Sequence, residues 1–321
     1  MVVNILFLFI GFVTLVKGAD LFVEGSSSLA VKFKVSDLAI GLTVVAIGTS
    51  LPELVVNVFA AYKGHCDIVF GNIIGSNNFN TFVVLGVIGM FTPFSVQPST
   101  LKIEIPVSFL VISLFFLFAN DLFFSKEKTF LRGEGILFLI LFLSFLFYVY
   151  RFLKKFNESL EEKRKDLSLF KTYFYIFLGI FLLTVGGHLV ETKAVLMAEF
   201  LGVSQGIIGL TVVAMGTSLP EFVTSLVAVI KKKKNIAVGN IVGSNISNIL
   251  FILGISSIVK PQTFNVRFNL DIAVMAGGTL LFFLAIITSK NKRDLERWKS
   301  GAIFLLYIIY IVSLVVVEVT K

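Results

Sequence analysis

The stretch IGLTVVAIGTSLPE at residues 40–53 decides the fold, because it returns as IGLTVVAMGTSLPE at residues 208–221. The two copies agree at 13 of 14 positions. GNIIGSN at residues 71–77 returns at the same offset of 168 residues, as GNIVGSN at residues 239–245. One constant offset across both motifs indicates an internal duplication. Two such long copies exclude a short-period array such as a solenoid.

The composition indicates a protein that lies in lipid. Of its 321 residues, 56% are hydrophobic and only 15% are charged, and the mean hydropathy is +0.95. Soluble domains carry about 25% charged residues, so a soluble enzyme and intrinsic disorder are both excluded. The net charge of +8 falls in short clusters between apolar runs, without a recognition motif, so no nucleic acid is expected as a partner. Cys66 is the single cysteine, which excludes an intramolecular disulfide.

The apolar runs predict an all-α polytopic membrane protein with ten transmembrane helices. A membrane-spanning helix needs about 20 mainly apolar residues, and only the fourth run is clearly short. The first run lacks a basic n-region and an obvious cleavage site, so it is interpreted as a retained helix and not as a signal peptide. The predicted spans are 4–30, 37–61, 68–91, 105–119, 131–150, 172–198, 204–230, 236–259, 268–288 and 299–318.

The basic residues predict how these spans are oriented. The odd-numbered loops hold 19 Lys and Arg residues and the opposite side holds 7. Positive charge stays in the cytoplasm, so we expect a multi-pass protein of the cell membrane with both termini extracellular. Each repeat holds five spans, an odd number, so the second repeat enters the membrane from the opposite face. The predicted units are a five-helix repeat at 1–150, a cytoplasmic linker at 151–171 and an inverted five-helix repeat at 172–321.

Each repeat carries one carboxylate deep inside an apolar span. These are Glu53 and Glu221, and the second, third, seventh and eighth spans contain no Lys or Arg that could neutralise them. A charge at the bilayer centre costs at least about 2.5–3.5 kcal/mol, so the expected partner is a bound cation or a proton. Pro52 and Pro220 lack a backbone N–H and predict a broken helix beside each glutamate. Freed carbonyls at that depth are tolerated only where they line protein or a wet cavity.

The polar groups near the two glutamates offer only oxygen as a ligand. Oxygen ligands suit hard cations, and a flexible cage of six to eight suits calcium better than magnesium, whereas soft metals prefer sulfur or imidazole. Two carboxylates balance one divalent ion or two monovalent ions, which suggests exchange. Glycine packing and interhelical hydrogen bonds remain an alternative explanation of GNIIGSN alone. The candidate ligands are Ala46, Thr49, Ser50, Glu53, Ser76 and Asn80 in the first repeat, and Ala214, Thr217, Ser218, Glu221, Ser244 and Asn248 in the second.

The GTSLPE and GNxxGSN segments of both halves resemble the alpha-repeats of the sodium/calcium exchanger family, within the cation/calcium antiporter superfamily. The resemblance covers nearly the whole chain. It implies two inverted five-helix halves, alternating access driven by sodium entry and calcium extrusion, and the twelve candidate residues as ion ligands. The chain resembles a compact prokaryotic-type member without a regulatory loop. Some members carry aspartate where this sequence has Asn80 or Asn248.

The expected activity is therefore electrogenic, potassium-independent exchange of sodium for calcium. The expected partners are calcium and sodium ions and membrane lipid, with no cofactor, no enzymatic activity and no obligate protein partner. A proton-coupled calcium antiporter is the alternative within the same class. A cation channel would gather its selectivity groups in a ring around a pore, and an intramembrane enzyme would need a nucleophile–base pair that the sequence does not display.

Overall fold

The apolar runs of the sequence form long helices in the computed structural model. The structure describes residues 2–120, 128–152, 167–202, 214–289 and 293–319. Within them, eight helices are long and apolar enough to cross a membrane, and α2 with α3 makes a ninth span that is bent by 48°. The helices are α1 Val2–Phe33, α2 Asp37–Thr49, α3 Leu51–Lys63, α4 Cys66–Phe91, α5 Thr100–Ala119, α6 Arg132–Phe152, α7 Leu169–Phe200, α8 Leu219–Ile230, α9 Lys234–Val259, α10 Val266–Ile287 and α11 Arg297–Val319.

The bounds agree with the predicted spans where both are defined, with one clear correction. The fourth span begins at Thr100, five residues before its predicted start, because Thr100–Glu104 is a π-helical turn that continues into the α-helix. Lys102 therefore lies in a helix and not in a loop. Of the predicted span 204–230, the structure describes only the part from Ala214 onward, as the short turn Ala214–Gly216 and α8. Most of the predicted linker 151–171 lies outside the described residues.

Helices α4 and α9 form the centre of the molecule. In these two helices, 78% and 83% of the most apolar segment is buried inside the protein, against 22–33% in the other long spans. The outer helices turn large apolar side chains outward, such as Phe9 of α1 and Phe177 of α7, which are 66% and 68% exposed. An apolar exterior around a polar-containing core is the arrangement that lipid favours.

The two longest helices, α1 and α7, pack against each other in antiparallel fashion through glycines. A Cβ atom built at Gly11 would lie 3.3 Å from the carbonyl oxygen of Gly186, and one built at Gly18 would lie 3.0 Å from that of Gly179. Small residues let membrane helices approach until their backbones touch. Any larger side chain at these positions would force the two helices apart.

The connections between helices meet in two separate groups. Phe94–Ser95 pairs with Asp294–Leu295, and Thr129–Phe130 pairs with Gln262–Thr263, each as a two-residue antiparallel ladder. These ladders were not predicted, because two residues are too few to display an alternating pattern. Each ladder joins two loops that the charge pattern places on one side of the membrane.

Candidate ion-binding site

The site begins at the two broken helices, where proline interrupts the hydrogen-bond ladder as predicted. α2 ends at Thr49 and α3 begins at Leu51, so Ser50 lies at the bend with φ −86° and ψ 9°. In the second half the equivalent residue, Ser218, has φ −90° and ψ 5° and precedes α8. Both bends place a hydroxyl-bearing residue and the following glutamate at the start of a helix.

The bends bring the two glutamates into contact with the opposite half. Ser50 Oγ donates to Glu221 Oε1 at 2.7 Å, and Ser218 Oγ donates to Glu53 Oε1 at 3.4 Å. Glu53 is 1% exposed and Glu221 is 0% exposed. Each carboxylate is therefore held by a hydroxyl of the other repeat, within the protein interior.

A second pair of crossed contacts lies beside the first. Thr49 Oγ1 donates to Asn240 Oδ1 at 3.1 Å, and Asn72 Nδ2 donates to Thr217 Oγ1 at 3.1 Å. An offset of 168 residues converts one contact into the other, because it relates Thr49 to Thr217 and Asn72 to Asn240. Both halves thus build this layer from equivalent positions.

Close approach of the two halves depends on two glycines of the second GNxxGSN segment. A Cβ atom at Gly239 would lie 2.7 Å from the carbonyl oxygen of Leu38, and one at Gly243 would lie 2.8 Å from Cβ of Ala46. Because no side chain intervenes, Ser244 Oγ reaches the carbonyl oxygen of Ala46 at 3.5 Å.

Several oxygens of the predicted ligand set are buried and make no hydrogen bond within the described structure. A buried polar atom without a partner is costly, and oxygens of this kind are the groups that a hard cation coordinates. The residues therefore fit sodium or calcium as transported ions. These atoms are Glu53 Oε2, Glu221 Oε2, Ser76 Oγ, Asn80 Oδ1 and Asn248 Oδ1.

Asn80 and Asn248 lie one turn beyond Ser76 and Ser244, in a distorted part of the central helices. Asn80 belongs to the π-helical turn Phe79–Val84, and Asn248 begins the turn Asn248–Leu253. π-Helical turns are rare and are frequently found at functional sites. Among the described residues neither amide bonds to a glutamate, so the carboxylates do not orient these two side chains. Of Ala214, the structure describes only the backbone, in the turn Ala214–Gly216.

Sequence reasoning missed the residues that support the candidate ligands. Asn57 Nδ2 donates to the carbonyl oxygen of Glu53 at 2.7 Å and to Asn72 Oδ1 at 2.6 Å. Asn240 Nδ2 donates to the carbonyl oxygen of Glu221 at 3.3 Å and to Ser225 Oγ at 2.9 Å. Asn72 and Asn240 occupy the second position of the repeated GNxxGSN segment, so the repeat itself contained their signal. Asn57 and Ser225 follow each glutamate by four residues, on the same helix face.

Comparison with known proteins assigns the chain to a family. The family described as "Sodium/calcium exchanger protein" matches residues 3–151 and 171–316. The chain belongs to the sodium/calcium exchanger family. Its membership makes the protein a membrane cation/calcium antiporter, and its relatives are transporters and not enzymes, as predicted.

Two relatives of this exchanger and one solved structure match nearly its whole length. CaxA of Alkalimonas amylolytica is 35% identical over 318 residues, covering 97% of this chain and 98% of the relative. The sodium/calcium exchanger MaX1 of Methanosarcina acetivorans is 30% identical over 353 aligned positions, covering 97% and 98%. The structure of the sodium-calcium exchanger NCX_Mj soaked with Na⁺ and Ca²⁺ superposes with a TM-score of 0.82 at 31% identity, covering 98% of this chain and 99% of that one.

Proposed function

We propose that the protein exchanges sodium for calcium at a single site between Glu53 and Glu221. The observation that carries this proposal is the pair of buried carboxylates, each with Oε1 bound to a serine of the opposite half and Oε2 without a hydrogen-bond partner among the described residues. Two carboxylates neutralise one Ca²⁺, and the neighbouring hydroxyl, amide and carbonyl oxygens complete a hard-cation cage. The likeness to NCX_Mj, which was soaked with Na⁺ and Ca²⁺, supports the same substrates.

The two halves are proposed to be inverted repeats of five spans each, 1–150 and 172–321, joined by the linker 151–171. The antiparallel packing of α1 on α7 supports this, because Gly11 faces Gly186 and Gly18 faces Gly179. An offset of 168 residues relates Gly11 to Gly179 and Gly18 to Gly186, so equivalent glycines exchange places across the contact. A two-fold axis in the membrane plane has this effect, and alternating access then follows from movement of one half against the other.

Ten spans with both termini outside are proposed from the loops. Among the described residues, the contacts near the helix ends join segments that the prediction places on the same side of the membrane. Lys231 Nζ lies 2.6 Å from Asp20 Oδ1 at one end of the bundle, and Arg267 binds Asp67 at 2.9 Å at the other. The excess of positive charge on the first of these sides supports a cytoplasmic location for it.

Exchange is proposed to be electrogenic and independent of potassium. Sodium can also occupy the hydroxyl and carbonyl positions beside the carboxylates, so a site with more than two Na⁺ carries positive charge that a calcium-loaded site does not. Moving one charge across the membrane is worth about 2.3 kcal/mol per 100 mV. Asn80 and Asn248 are neutral amides and add no charge that would balance a co-transported K⁺.

The experiment that tests this function is calcium flux in proteoliposomes, with sodium, potassium and pH gradients imposed one at a time. We expect uptake that follows an outward sodium gradient, that needs no potassium and that grows when the membrane potential drives positive charge outward. Flux that follows the proton gradient alone would establish the proton-coupled antiporter instead. Single-channel currents would overturn the exchanger, and flux that ignores a clamped potential would contradict electrogenicity.

A further inference from the structure

The two amides of the predicted ligand set are held differently, although their positions are equivalent. Asn248 Nδ2 donates to Asn77 Oδ1 at 3.1 Å, which leaves Asn248 Oδ1 buried and without a partner. Asn80 is 0% exposed, and neither Oδ1 nor Nδ2 of its amide has a hydrogen-bond partner within the described structure. Among the residues that the structure describes, one amide is thus oriented by a neighbour and the other is not.

The orientation of Asn248 follows from a backbone carbonyl. Asn77 Nδ2 donates to the carbonyl oxygen of Asn245 at 3.3 Å. A carbonyl only accepts, so Asn77 must turn its NH₂ group to it and its Oδ1 to Asn248. Asn248 must then use its own NH₂ group to reach Asn77, and its Oδ1 points away from that contact. A hard cation binds an amide through oxygen, so this chain of contacts presents Asn248 in its ligating orientation.

The first half lacks this support because of one substitution between the repeats. The residue equivalent to Asn77 is Asn245, and its Nδ2 donates to Thr81 Oγ1 at 2.9 Å. The residue equivalent to Thr81 is Ile249, which has no hydroxyl. The threonine therefore draws Asn245 Nδ2 toward itself, and Asn245 Oδ1, the atom equivalent to the acceptor of Asn248, makes no hydrogen bond within the described structure. Ile249 offers Asn77 no such partner, and Asn77 Oδ1 accepts from Asn248.

We propose that Asn77 is a positioning residue, which holds Asn248 as an oxygen ligand for the transported cation, and that Thr81 denies the same support to Asn80. This inference rests on the proposed function, because it concerns how that site binds calcium. The ligand sets of the two halves are equivalent in sequence and unequal in preorganisation. Preorganised ligands bind with less loss of freedom, so Asn77 raises calcium affinity and has little effect on the maximal rate.

The test compares Asn77→Leu with its matched control Asn245→Leu, which removes the equivalent side chain and keeps the carbonyl that Asn77 needs. We expect Asn77→Leu to raise the calcium KM for sodium-driven flux by about three- to tenfold, as loss of one net hydrogen bond predicts, with the maximal rate nearly unchanged. Asn245→Leu should leave KM as in the unmodified protein. Equal effects of the two variants would reduce Asn77 to a structural role and overturn the proposal.

A double-mutant cycle separates positioning from packing. If Asn77 acts through Asn248, Asn77→Leu should have no further effect on calcium KM in an Asn248→Ala background. Additive effects would contradict the proposal.

A second variant, Thr81→Ile, decides the question if Asn77→Leu fails to insert as folded protein. Freeing Asn245 to support Asn80 should lower the calcium KM by about threefold. An unchanged or raised KM would overturn the inference. Absence of sodium-driven calcium flux in the unmodified protein would instead refute the proposed function itself.

Discussion

The two halves of the exchanger agree at the proposed ion ligands and differ at the residues behind them. The serine that reaches across to the opposite carboxylate is present in both, at 2.7 Å for Ser50 and 3.4 Å for Ser218. Behind the carboxylates, Asn57 in the first half is replaced by Ser225 in the second, and the supporting amide comes from Asn240 instead. The difference teaches that the two repeats keep the proposed ligands equivalent, whereas the residues that support them differ and make the halves unequal.

Loss of a carboxylate should have the largest effect on calcium flux, and the effect should be the same in both halves. Glu53→Gln and Glu221→Gln each leave Ca²⁺ with one counter-charge at membrane depth. We expect calcium flux to fall at least about 100-fold in either variant, with insertion preserved because glutamine is nearly isosteric. Flux of ⁴⁵Ca into proteoliposomes measures this, and normal flux in either variant would refute the two-carboxylate site.

Removing the serine hydroxyls that reach the glutamate of the opposite half should have a different effect in each half. Ser50→Ala deletes a short hydrogen bond to Glu221, and Ser218→Ala deletes a longer one to Glu53. A hydrogen bond to a charged group contributes about 1.5–3 kcal/mol, and less as it lengthens. We expect calcium KM to rise at least about tenfold in Ser50→Ala and by a smaller factor in Ser218→Ala. The same flux assay measures both values. A larger rise of calcium KM in Ser218→Ala than in Ser50→Ala would show that the lengths of the two hydrogen bonds do not reflect their energies.

A carboxylate introduced at the amide positions should also behave differently in the two halves. In Asn248→Asp the new group faces Asn77 Oδ1, so it must carry a proton to keep that contact. At Asn80→Asp no such acceptor is fixed beside the new group. We expect calcium flux or ion selectivity to become more pH-sensitive in Asn248→Asp than in Asn80→Asp. Identical pH profiles between about pH 6 and about pH 8 would contradict the orientation of Asn77.

The smallest expected effect concerns an ion pair between the two halves that has no symmetry-related counterpart among the described residues. Lys231 binds Asp20 and Glu24 of α1 at 2.6 Å and 3.4 Å. The equivalents of these acidic residues are His188 and Thr192, and that of Lys231 is the exposed Lys63. Because the pair is partly solvated, Lys231→Ala should lower stability by less than about 1 kcal/mol. Thermal unfolding in detergent measures this, with Lys63→Ala as the control that should have no effect; a fall of equal size in both variants would show that the pair contributes nothing.

Much of the site could be predicted because its residues lie in two strongly repeated segments. The broken helices followed from Pro52 and Pro220, whose missing N–H groups act locally. The π-helical turns at Asn80 and Asn248 could not be predicted, since an inserted residue in a helix leaves no periodic mark in the sequence. The supporting role of Asn57 depends on a contact with Asn72, a residue of another helix, and no spacing along one helix reports it.

The sequence by itself determined the membrane environment, the duplication and the chemistry of the ligands. These depend on composition, on identity between segments and on residue type, which need no knowledge of contacts. Only the tertiary structure decided which serine faces which glutamate, and that Asn77 turns toward Asn248 while Asn245 turns toward Thr81. The physical reason is that a hydrogen bond is set by distance and direction between atoms far apart in the chain, and packing of the two halves alone determines both.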